Sequence, residues 1–217
     1  MAPEAKRTAA PSAPAQKLTR KGEQTRERIV SAAAQLIFER GVASTSIEDV
    51  KEAAGASSSQ LYHYFGDKQA LVHAVIAHQS DAVIAAQEPL LGKLDSVEAL
   101  RAWRDQAVAI EKQLQCKGGC PIGTLAGELA EVDPDARADI AQGFARWEEA
   151  IAQGIAAMHE RGELPADVDP DRLALALLAA HQGGLLLTQV RRDPAPLEAA
   201  LDAMIDHVAD LLGRART

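Results

Sequence analysis

The sequence predicts an all-α chain, and three observations predict it. Alanine and leucine dominate, β-branched runs are almost absent and aromatic residues make up only 3% of the total, a composition suited to packed helices. Apolar residues recur at three- and four-residue intervals over most of the length. Capping residues, glycines and prolines fall where those patterns start and stop. At 217 residues the chain is long enough for one large or two small domains with a substantial core. The expected organisation is a tail over residues 1–19, a three-helix unit containing a helix-turn-helix over residues 20–67, and a larger helical domain over residues 68–217.

The tail is rich in Ala and Pro with scattered Lys and Arg, and offers too little apolar surface to offset the entropy of ordering. Lys6, Arg7 and Lys17 in it can serve as phosphate contacts or simply as a solubilising segment. A first helix is expected from Lys21 to Arg40, with Ile29, Ala32, Ala33, Leu36 and Ile37 as its buried stripe and Gly41 as its end. A second, short helix carries Ile47, Val50, Ala53 and Ala54, with Thr45 or Ser46 as its cap, and Gly55 breaks it. Ser57 caps a third helix, in which Leu61 and Phe65, four apart, face one side.

Asp67 caps a fourth helix that continues through Leu71, Val72, Val75, Ile76, Val83 and Ile84 and stops near Pro89. No flexible linker separates it from what precedes, so it reads as a rigid connection. A fifth helix fits Val97 to Leu114, with Leu100, Trp103, Ala107, Ile110 and Leu114 along one face. The glycine-rich stretch Cys116–Gly123 interrupts, and a short apolar segment, Ile122 to Ala130, follows. Asp133-Pro134 starts a helix reaching Glu160, with Phe144, Trp147, Ile151, Ile155 and Met158 inward, and Asp169-Pro170 starts another through Val190. That one is apolar almost all round, implying burial on more than one side. A last helix runs from Leu197 to Leu212.

The outer face of the third helix carries Ser58, Ser59, Gln60, Tyr62 and His63, all able to donate or accept hydrogen bonds. A short helix with one buried seam and a polar, aromatic outer face suits a DNA major groove, although an ordinary helical hairpin with a solvated face has the same pattern. The formal net charge of −8 is unevenly divided. Residues 1–72 hold ten Lys/Arg against eight Asp/Glu, and residues 73–217 hold thirteen against twenty-three. The positive end coincides with the helix-turn-helix, as phosphate contact requires.

Thr25-Arg26, Ile29, Ala32-Ala33, Leu36, Phe38, Gly41, Thr45-Ser46, Ala53, Gly55, Leu61-Tyr62, Tyr64-Phe65, Lys68 and Leu71 together resemble the N-terminal signature of TetR/AcrR-type transcriptional regulators. The resemblance spans about Thr19 to Val72. It implies contact with a double-stranded, near-palindromic DNA operator. Ser46 would hold a phosphate at a helix start, and Ser58, Ser59 and Gln60 would lie on the turn that reaches base edges. Gln60 suits a bidentate pair with adenine, while Tyr62, His63, Tyr64 and Lys68 would supply phosphate or thymine-methyl contacts. For Tyr64 core packing is an equal alternative. Ser58 and Ser59 stand where many relatives have lysine and glycine, so the operator sequence should differ from theirs.

The same resemblance implies homodimerisation through the last two helices and a small apolar effector molecule held in the C-terminal domain. Candidates to line its cavity are Trp103, Ile110, Leu114, Leu125, Phe144, Trp147, Ile151, His181 and Leu185, with His181-Gln182 as orienting polar groups. Apolar residues at helical spacing are more often plain core. Cys116 and Cys120, four apart, permit a disulfide but lack the partners of a metal site or a catalytic thiol, and inert cysteines beside the cavity are the favoured reading. Lys117 could lower a thiol pKa, which keeps a thiol-based redox regulator as the alternative. The segment GCPIGTLA is similar to a subgroup of TetR-like regulators.

No phosphate loop, HExxH or GxSxG occurs, so no catalytic, metal or cofactor site is expected. With no stretch of eighteen uninterrupted apolar residues and no signal-like start, the expectation is a soluble cytoplasmic regulator without membrane contact.

Overall fold

The computed structural model describes residues 18–215, so the tail positions Lys6, Arg7 and Lys17 lie outside the described residues. Among the described residues nine α-helices and one short 3-10 turn account for the regular structure, with no strand. They are α1 (Arg20–Arg40), α2 (Ile47–Ala54), α3 (Ser58–Phe65), α4 (Lys68–Ala85), α5 (Val97–Gln113), α6 (Pro121–Leu129), α7 (Pro134–Glu160), α8 (Pro170–Arg191) and α9 (Ala195–Ala215). The 3-10 turn, Leu91–Lys93, follows α4 and has no sequence counterpart in the reading above.

Local signals set most of the boundaries. The side chains of Thr19, Ser46, Ser57, Asp67, Ser96, Asp133 and Asp169 each accept a hydrogen bond from a backbone N–H in the first turn of the helix they start. Cys120 does the same for α6 through its sulfur. Gly55 closes α2 in the left-handed conformation, at φ 56°, where a side chain would be strained.

In α1 the buried residues are Ile29, Val30, Ala33, Ala34 and Ile37, so the stripe lies one position over from the one expected. Ala32 and Leu36 are only half-buried. Of the two expected caps for α2, Ser46 takes the role, while the buried Thr45 hydroxyl donates to the Gly41 carbonyl at 2.9 Å. Ala53, expected on the inner face, is exposed.

α1 and α3 pack on α4, α2 packs on α1, and α4 in turn packs on α7. Two polar side-chain contacts reinforce that last contact: His73 Nδ1 meets Asp139 Oδ2 and Arg146 Nη1 donates to Asp81 Oδ1, both at 2.7 Å. The remaining bundle stacks α7 on α8 and α8 on α9, with α5 against α9. α8 is long and apolar enough to cross a membrane by length and composition alone, but nearly half of it is buried among other helices. Leu175, Ala179, Gly183, Leu186 and Val190 lie three or four apart on its remaining, exposed face. The inward stripe of α9 is Leu197, Leu201, Ile205, Val208 and Leu211.

Candidate functional site

Two places carry functional geometry. The first is the face of α3. Leu61 and Phe65 are buried beneath it, and the Arg26 guanidinium lies 5.3 Å over the Phe65 ring. An Arg28 amine donates to the carbonyls of Ala54 and Gly55, joining α1 to the turn between α2 and α3. Thus α1 holds both short helices at their junction, and the angle between them follows from these contacts.

Above that seam Ser58, Ser59, Gln60, Tyr62 and His63 are exposed, Tyr62 by 56% of its surface. Tyr64 is half-buried against the core, with its ring edge-on to His63 at 5.1 Å. Ser46 and Asp49 form a reciprocal capping box on α2: the Asp49 N–H donates to Ser46 Oγ, and the Ser46 N–H donates to Asp49 Oδ2. Hydrogen bonding to Ser46 holds the Asp49 carboxyl below its usual pKa.

Gln60 plays the same part on α3. Its Oε1 accepts from the Ser57 N–H at 3.0 Å, and its own N–H donates to Ser57 Oγ at 3.2 Å. The amide expected to pair with adenine through both its atoms therefore already has its oxygen engaged. Lys68 is engaged too: Nζ donates to the Val42 carbonyl at 2.7 Å and ties the start of α4 to the end of α1. The Val42 N–H donates to Glu128 Oε2 on α6, also at 2.7 Å.

The second place is a cavity of about 300 Å³ between α1, α4, α5, α7, α8 and the loop before α6. Five of the nine residues expected around it do line it: Ile110, Leu114, Trp147, His181 and Leu185. The other four lie elsewhere. Trp103 stacks on the His181 ring at 5.3 Å from behind and donates through Nε1 to Gln87 Oε1 at 2.8 Å. Leu125 borders a separate, very small void, Phe144 borders a groove beside α8, and Ile151 is fully buried core.

Several lining residues escaped the sequence reading. Phe38 reaches in from α1, Gln79, Ala82 and Val83 come from α4, and Ala86 stands just past its end. Gly118, at φ 90°, lets the loop between α5 and α6 lie against the Phe38 ring, where a Cβ would stand 2.3 Å from the nearest carbon. Glu111 is the most informative omission. The apolar stripe of α5 continues from Ala107 to Glu111 four residues on, leaving Ile110 half-buried and Leu114 50% exposed. The signal was present as a charge at the next stripe position, but periodicity alone treats such a residue as a break in the pattern.

The cavity's polar groups are few and deeply placed. Burial pushes the Glu111 carboxyl above its usual pKa and pushes the His181 imidazole down to about 4. Glu111 Oε2, Trp147 Nε1 and His181 Nδ1 are buried without a hydrogen-bond partner. Cys116 and Cys120 are both free and buried, and burial is the first cause raising both thiols, aided by the Glu111 charge. Lys117 is exposed and donates to Gln115 Oε1 instead. The redox alternative therefore has no support: the thiols are held protonated, and a thiolate is the form that reacts.

Comparison with known proteins covers both parts of the chain. A family model for bacterial regulatory proteins of the tetR family matches residues 29–75, and one for the tetracyclin repressor-like C-terminal domain matches residues 96–204. The chain is 30% identical over 191 residues to an uncharacterized HTH-type transcriptional regulator of Lactococcus lactis, covering 83% of this chain and 91% of that one. The chain belongs to the TetR family. It is a DNA-binding transcriptional regulator and not an enzyme. The HTH-type transcriptional repressor DhaR of a Mycobacterium species is 26% identical over 183 residues, covering 83% of this TetR-family chain and 90% of its own. A crystallised TetR transcriptional regulator from Chloroflexus aurantiacus superposes with a TM-score of 0.74 at 29% identity, covering 88% and 97% of the two chains.

Proposed function

We propose that this regulator is a homodimeric repressor, released from a near-palindromic operator when a small apolar effector fills the cavity. Two copies would set their α3 helices into successive major grooves about 34–36 Å apart. Ser58, Ser59, Tyr62 and His63 are free to face the DNA, with Ser46 at a phosphate and Tyr64 at the margin. Gln60 reads adenine bidentately only by giving up its cap on Ser57; with the cap kept, it offers Nε2 alone. Lys68 retains N–H groups for a phosphate while holding Val42.

The observation that carries the effector reading is the shared wall. Phe38 on α1 and three residues of α4 line the cavity, so an occupant presses on the two helices that carry the helix-turn-helix. The chain of contacts from α6 through Glu128, Val42 and Lys68 ties the far end of that wall to the start of α4. An effector bound better in one setting of α4 would shift the population toward it and change operator affinity by the same free energy. The sign, repression, is supported by the repressor named among the relatives.

Dimerisation is supported by the exposed apolar stripe of α8, with Leu175, Leu186, Leu187 and Val190 all open. A groove of about 720 Å³ runs beside it, bordered by Phe144 and Gln182. α9 would contribute at its edge, because its main stripe already faces inward.

The test is fluorescence anisotropy on DNA from upstream of the protein's own gene, with wild type and Ile110→Trp, in the presence of cell extract. Wild type should bind and be released, while the filled cavity should bind and stay bound. Equal release of both proteins would remove the cavity from the mechanism.

A further inference from the structure

The effector cavity has a chemical bias beyond being apolar. Its ionisable lining consists of Glu111, His181 and Cys120, and no Lys or Arg reaches it. Four cations around this part of the fold are engaged elsewhere: Lys112 Nζ donates to Glu198, Lys117 Nζ to Gln115, Arg104 pairs with Asp105 and Asp202, and Arg192 donates to the Cys116 carbonyl. Glu111 itself is 4% exposed, and its Oε2 has no donor within reach.

A carboxyl sealed in such a place is costly unless a partner arrives. Desolvation opposes its ionised form, and Oε2 receives no hydrogen bond that would offset it. Of the two amides in the lining, Gln79 and Gln87, the second is already engaged at both ends, with the Trp103 indole and the Val83 carbonyl. An uncharged wall residue of similar length would line the same space at lower cost. A ligand carrying its own cation resolves the conflict; a ligand carrying an anion makes it worse.

We propose that the effector is an apolar amine whose ammonium group donates to the Glu111 carboxylate, with its hydrocarbon part against Phe38, Ile110 and Leu185. His181 lines the same cavity, and its Nδ1, buried without a partner, is a second acceptor there. The ring is neutral, since burial keeps it unprotonated down to about pH 4, so it does not repel the cation. The edge-on contact between Trp147 and His181, with centroids 5.0 Å apart, holds the imidazole in place. This assignment rests on the cavity being the effector site.

Three probes of one shape separate the possibilities: phenylbutylamine, phenylbutanol and phenylbutyrate, titrated calorimetrically into the full-length protein. Wild type should bind the amine about tenfold more tightly than the alcohol, as a charge-assisted hydrogen bond allows, with the carboxylate weakest. Glu111→Gln should bring amine affinity down to that of the alcohol and leave alcohol binding unchanged. Alcohol or carboxylate binding wild type as tightly as the amine would overturn the proposal, and so would Glu111→Gln keeping the amine preference. The wild-type ranking needs no variant to fold. Binding of the alcohol without preference for the amine would remove the amine assignment and leave the cavity as a site. Failure of all three to bind would overturn the amine assignment and the cavity reading together.

Discussion

The face of α3 and the cavity behind α4 are built in opposite ways. α3 is eight residues of continuous sequence, and its residues act through near neighbours: Ser57 and Gln60 cap it, Leu61 and Phe65 seat it, and Tyr62 and His63 face outward. The cavity draws its walls from five helices and a loop, between Phe38 and Leu185. The difference teaches where information resides. The outward face of a short helix is specified by period and capping, whereas an enclosed space is specified by which distant side chains fail to fill it.

The largest expected effect breaks the first region alone. Leu61→Ala should cost about 2–5 kcal/mol, since the side chain is fully buried, and operator binding should vanish with the helix-turn-helix. Chemical denaturation with anisotropy on the same samples checks both. A variant that lost that much stability and still bound the operator would show that α3 is not the docking element.

The cavity has a signature in pH. His181 in the folded protein is pushed down to about 4 by burial. The unfolded chain takes that proton near an ordinary histidine pKa of about 6.5, so its contribution to stability is present above that pH and lost as pH falls toward 4. The loss should reach about 3 kcal/mol and be absent from His181→Phe, as read from denaturant midpoints between pH 7 and pH 4. Glu111 acts in the other sense: its raised pKa makes stability fall as pH climbs above the ordinary carboxylate range, and Glu111→Gln should flatten that limb.

Smaller effects sharpen the reading of α3. Tyr62→Ala should weaken binding to all DNA sequences about tenfold while leaving the unfolding midpoint almost unmoved, because its ring is largely exposed. Gln60→Ala should cost about 0.5 kcal/mol of stability through the lost capping box. If Gln60 also reads a base, preference at one base pair should relax, as selection from a randomised operator would show; unchanged preference would leave it as a cap only.

Much of this was legible in one dimension. Ser46, Ser57, Asp67, Asp133 and Asp169 announced helix starts because a short polar side chain followed by helical periodicity has few other uses. The α3 residues and their outward faces followed from a four-residue interval. Errors in the same region were small rotations of a stripe, as with Val30 and Ala34 buried in place of Ala32 and Leu36. Periodicity gives the existence of a face more firmly than its centre.

The cavity was only half legible. Trp147 and His181 were found because they are large and stand on inward faces, but Trp103 and Ile151 share those properties and are core. Phe38 and Glu111 were missed for opposite reasons: one lies in the helix-turn-helix unit, and the other carries a charge on an apolar stripe.

By itself, then, the sequence determined most of the helices, several of their caps and the outward polar side of α3, because those depend on groups within a few residues of each other. Only the tertiary structure decided that α1 and α4 wall the cavity, that Glu111 is sealed inside it without a partner, and that Gln60 and Lys68 are already engaged. The engagements of Gln60 and Lys68 depend on rotamers and on the approach of Val42. The cavity depends on the volume left when distant helices meet. Neither is a property of spacing along the chain.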